Sequence, residues 1–103
     1  MAPSRVSPET EKRITLLFSP DEHELVRALL SEECGNNLPL LEDLDEVKLE
    51  RVRFAALKLS QGKLDELDRA IALAKIDWRD LLMAADFGDP QAHLSWFPQR
   101  RQG

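Results

Sequence analysis

Tyrosine is absent from this 103-residue chain, cysteine occurs once, and aromatic residues make up only 6% of it. A single cysteine excludes an internal disulfide and a cysteine-rich zinc site. Uninterrupted apolar runs are a few residues long, far short of the roughly 20 needed for a membrane-spanning helix. The opening residues, Met1-Ala2-Pro3-Ser4-Arg5, lead into charged positions without an apolar stretch of signal-peptide type. A cytoplasmic protein is therefore expected. Glycine is scarce as well. Gly35, Gly62, Gly88 and Gly103 stand singly, and none belongs to a loop that cradles phosphate. No repeat and no low-complexity tract is present.

What is there is 43% apolar and 32% charged, with 19 acidic against 14 basic side chains and a formal net charge of −5. That is too apolar for a disordered chain, and the length suits one domain with one core. Residues 1–11 are polar and punctuated by proline, and read as a flexible N-terminal arm. Residues 12–98 read as a single helical domain, and 99–103 as a polar tail. The segment 12–18 fits two patterns. A helix starting at Pro8 and capped by Ser7 would put Ile14, Leu17 and Phe18 on one face; a strand would alternate Ile14, Leu16 and Phe18. Helix is preferred, because no second strand is evident for pairing.

Helix signals follow in order. Ser19-Pro20-Asp21-Glu22 reads as a capping box, with proline at the first helical position and acids at the positive end of the dipole. Leu25, Val26, Leu29 and Leu30 carry a helix over 20–34, which Gly35 can end in left-handed geometry. Asn36 to Pro39 read as a loop, with Leu40, Leu41 and Leu44 packing the connection. A long helix over 44–60 presents Leu44, Val47, Val52, Ala55, Ala56 and Leu59, widened by Phe54 and Leu57. Gln61-Gly62 ends it. A helix over 63–76 carries Leu64, Leu67, Ile71 and Ala74, with Leu73 and Ile76 beside them. So short a link makes the two helices an antiparallel hairpin. Asp77 then reads as the N-cap of a helix running to Phe87-Gly88, and Asp89-Pro90 as the start of a short last helix through Trp96, stopped by Pro98. The fold class is all-α, a single compact bundle of four to five short helices built around that hairpin.

The run from Arg51 to Trp96 contains Val-Arg-Phe-Ala, Leu-Lys-Leu-Ser and Asp-Trp-Arg-Asp-Leu-Leu, then Ala-Ala, a phenylalanine and a late tryptophan. It resembles a family of small, uncharacterised bacterial all-helical proteins over nearly half the chain. The resemblance implies a helical fold and a bacterial, cytoplasmic setting. It implies no activity.

Candidate chemistry is thin. His23 and His93 lie far apart, and the position four residues after His23, where a second helical metal ligand would stand, is Arg27. Both histidines are expected at the solvent boundary. Cys34 falls at a helix C-terminus beside Glu32 and Glu33, which disfavours a thiolate. Its distance from His23 along one helix, about 16 Å of rise, prevents a dyad. Between Asp21 and Glu50 ten acids face only Arg27 and Lys48, a local net charge of −8. Such a stretch is read as solvated helix faces, though it would also attract a basic partner. The helices around Gly88-Asp89 raise a helix-turn-helix reading. The second offers bases little beyond Gln91, the acidic balance opposes phosphate contacts, and the basic pair Arg100-Arg101 puts only two charges at the tail. No nucleic-acid binding, metal or cofactor is expected.

Aromatic placement is the remaining signal. Trp78, Phe87, Trp96 and Phe97 fall within twenty residues. Trp78 and Phe87 bracket a helix and suit the core. Trp96 and Phe97 are adjacent, about 100° apart if helical, so either the chain bends there or one ring serves a partner. These two are the candidate interface. The reading is a small cytoplasmic protein-binding module without catalytic activity, with a protein partner or self-association. The alternatives are an acidic inhibitor or immunity-type protein for a basic target, and a small enzyme using acidic residues and His23.

Overall fold

Ser7 and Pro8 begin the first helix, α1 (Pro8–Leu17): the Ser7 hydroxyl accepts from the Thr10 amide at 3.2 Å, and proline fills a position whose amide needs no partner. This computed structural model describes residues 6–33, 46–89 and 92–98. It settles the 12–18 segment as helix. The flexible arm expected over residues 1–11 does not hold for residues 6–11, because Pro8 to Glu11 are helical and Val6 is buried. Residues 1–5 and the 99–103 tail lie outside the described residues, as do Cys34, Gly35, the 36–39 loop and Leu40, Leu41 and Leu44. Thr10, Arg13, Ile14 and Leu17 form the buried stripe of α1.

A single 3-10 turn (Pro20–Glu22) leads into α2 (His23–Glu33). The capping box is not made as expected. The Ser19 hydroxyl donates to the Asp21 carboxylate at 2.6 Å, and the turn closes through the Glu22 amide on the Ser19 carbonyl at 2.9 Å. With its oxygen drawn to a neighbouring acid, Ser19 leaves the first turn in the tighter geometry. Val26 and Leu30 point inward, whereas Leu25, one step round the helix, is 50% exposed.

α3 (Glu46–Ser60) is the centre of the molecule. Every residue from Val52 to Leu57 is buried, so the helix is covered on all sides. It packs most extensively on α4 (Leu64–Ala84), and also on α1 and the C-terminal segment. The hairpin turn is Gln61-Gly62, both left-handed at φ 52° and 81°. Glycine meets that requirement without strain at Gly62. Ser60 locks the turn, its hydroxyl donating to the Leu57 carbonyl at 2.6 Å and accepting from the Gly62 amide at 3.2 Å.

α4 breaks where the sequence places a helix start. Asp77 has extended dihedrals (φ −161°, ψ 109°), and its carboxylate accepts from the Arg79 amide at 3.0 Å, as an N-cap does. Leu67, Ala70, Ile71 and Ala74 before the break and Leu81 and Leu82 after it face the core. Ile76 does not join the stripe. It sits beside the break and is 72% exposed. The helix ends before the expected glycine: Asp86, two residues ahead of Gly88, takes the left-handed position at φ 67°, the Phe87 amide reaches the Leu82 carbonyl at 2.8 Å and the Asp86 amide reaches the Met83 carbonyl at 3.1 Å. This is a Schellman arrangement with an aspartate in place of glycine.

The expected last helix is a single 3-10 turn, Ala92–Ser95. Pro98 leaves it no room to extend. Residues 92–98 form a strap lying across α1, α3 and the end of α4. Among the described residues there is no strand, and the molecule is an all-α bundle around the α3–α4 hairpin.

Candidate functional site

The strap is held by an arginine that the sequence reading passed over. Arg13 is 1% exposed, a costly place for a charge unless its donors are satisfied. Its Nε donates to the Trp96 carbonyl at 3.0 Å, and one terminal nitrogen donates to the Glu9 carbonyl at 2.8 Å and to the Glu9 carboxylate at 3.1 Å. The guanidinium plane lies between two rings, 4.0 Å from the centroid of Phe54 and 3.8 Å from that of Phe97. Such stacking on a desolvated cation is worth about 0.5–2 kcal/mol per ring. Lys12 and then Arg13, by hydrogen bonding, hold the Glu9 carboxyl below its ordinary value.

Trp96 and Phe97 divide as adjacent residues at a bend must. Trp96 packs inward against Phe54 and Phe87, at centroid separations of 6.2 and 6.1 Å. Phe97 stays 49% exposed, one face on Arg13 and the other in water. Leu94, on the same strap, is 54% exposed. Phe87 is buried and Trp78 is partly buried against the core, as expected. His93 is not at the boundary. It is buried between Phe54 (5.4 Å) and Phe87 (6.3 Å), edge to face with each.

Other cations repeat the use made of Arg13. Arg51 donates to the Phe87 carbonyl at 2.6 Å and to Gly88 at 3.0 Å; Arg53 donates to Leu30 at 3.1 Å; Lys58 donates to Ala85 at 2.8 Å. Each reaches a carbonyl in the last turn of a helix or in the loop that follows it. The Arg-Val-Arg and Leu-Lys-Leu stretches of the 51–96 run thus tie chain ends to the central helix. The available signal was register, since Arg13 falls in step with Thr10, Ile14 and Leu17.

The catalytic candidates do not converge. His23 is half-buried, and its Nε2–H donates to the Phe18 carbonyl at 2.8 Å, closing the end of α1. A carbonyl only accepts, so the hydrogen must be on Nε2. Arg27 and Glu11 pair through both nitrogens and both oxygens, raising the arginine above its ordinary value. They line a shallow depression of about 510 Å³ with Val6 and Pro8. A second, of about 220 Å³, is lined by Leu59, Glu66, Arg69, Ala70 and Leu73. Among the described residues, neither is lined by a histidine, a cysteine or a hydroxyl side chain. Arg79 pairs with Asp77, at 2.9 Å for each of two nitrogens. Hydrogen bonds from the Arg79 side chain and then its amide hold Asp77 below the ordinary carboxylate value. Lys75 pairs with Glu33, and Arg69 lies 3.4 Å from Glu66. Among the described residues, no three histidine, cysteine or acidic side chains are close enough to hold a metal ion, and no helix is long and apolar enough to cross a membrane.

Compared with protein-family models, curated proteins and solved structures, the chain matches none.

Proposed function

We propose that the protein is a small, non-catalytic protein-binding module that self-associates through its C-terminal strap. One observation carries this reading: Phe97 holds a large ring half in water while a buried guanidinium fixes its other face. A ring already immobilised loses little side-chain entropy on binding, which is what distinguishes an energetic anchor from an ordinary exposed phenylalanine. Leu94 adds apolar surface on the same segment. The bacterial cytoplasm is the setting this reading expects, following the resemblance.

The engagement of His23 with a backbone carbonyl supports binding over catalysis, because that ring nitrogen already holds a structural bond. Single substitutions separate the two rings. Phe97→Ala is expected to weaken association by about 2 kcal/mol, roughly thirtyfold, while lowering fold stability by only about 0.5–1 kcal/mol. Trp96→Ala is expected to lower stability by about 3–5 kcal/mol. Association that sedimentation shows unchanged in Phe97→Ala would overturn the assignment of the strap as the contact surface.

A further inference from the structure

We draw no further inference here: the strongest candidate, the aromatic groove of Arg13, Phe54 and Phe87 beneath the C-terminal strap, belongs to the site already described, and nothing in the structure shows an occupant for it other than the strap's own Trp96 and Phe97.

Discussion

Replacing Arg13 by alanine removes a side chain that touches α1's own first turn, α3 and the strap at once. Two methylenes of buried stem account for about 1.6 kcal/mol, at roughly 0.8 for each. The charged hydrogen bond to the Trp96 carbonyl contributes about 1.5–3 kcal/mol, and the two ring faces about 0.5–2 each. Against this stands relief of the guanidinium's desolvation, a few kcal/mol once its bonds are gone. The balance is a loss of about 2–4 kcal/mol. Arg13→Met keeps the stem and is expected to lose about half as much. Urea unfolding followed by tryptophan fluorescence measures both, because Trp96 sits against the groove and responds when the strap loosens. A double cycle of Arg13→Met with Phe97→Ala should then give a coupling of about 0.5–1 kcal/mol, since the ring is half solvated. An Arg13→Ala chain within about 0.5 kcal/mol of the parent, the range of ordinary surface changes, would refute the clamp.

Leu67→Ala, on the buried face of α4 against α3, is expected to cost about 2–5 kcal/mol in the same assay. Asp86→Gly should stabilise by about 0.5–1 kcal/mol, because relief of a left-handed aspartate outweighs the entropy glycine adds to the unfolded chain; a lower melting temperature would contradict it. Glu9, Asp21 and Asp77 all titrate below their ordinary values in the folded chain, chiefly through hydrogen bonds from Lys12, Ser19 and Arg79 respectively. The unfolded chain therefore takes up these protons first, so stability is full above about pH 5 and falls through pH 4 and below; a stability that rises on acidification would contradict these shifts.

Local rules that involve one or two residues were legible in the sequence. Ser7-Pro8, Gln61-Gly62 and Asp77 each needed only a cap or turn preference, and each stands where expected. Signals that depend on competition between neighbours were read less well. Ser19 had a cap to make and an aspartate two residues on, and the aspartate took its hydroxyl. Asp86 and Gly88 could both follow a helix, and the register of Leu82 and Phe87 chose the aspartate. The site was the least legible part. Arg13 reaches Trp96 across 83 positions and Arg51 reaches Phe87 across 36, and periodicity contains nothing about such pairs. An arginine inside an apolar stripe resembles an ordinary interruption until the carbonyl that it serves is in view. His93 was misplaced for the same reason, since its surroundings come from α3 and the end of α4 rather than its own turn. The aromatic pair Trp96-Phe97 was singled out by adjacency alone, and the bend that separates them is fixed by the bond from Arg13.

The weight-average mass of the unaltered protein, followed by sedimentation equilibrium as concentration is raised, tests the central claim most directly. A self-associating strap protein should climb from the 11.8 kDa of one chain towards twice that value, with a midpoint that moves roughly thirtyfold higher in Phe97→Ala. A mass that stays at one chain up to about millimolar concentration, where even weak specific association is visible, would contradict it.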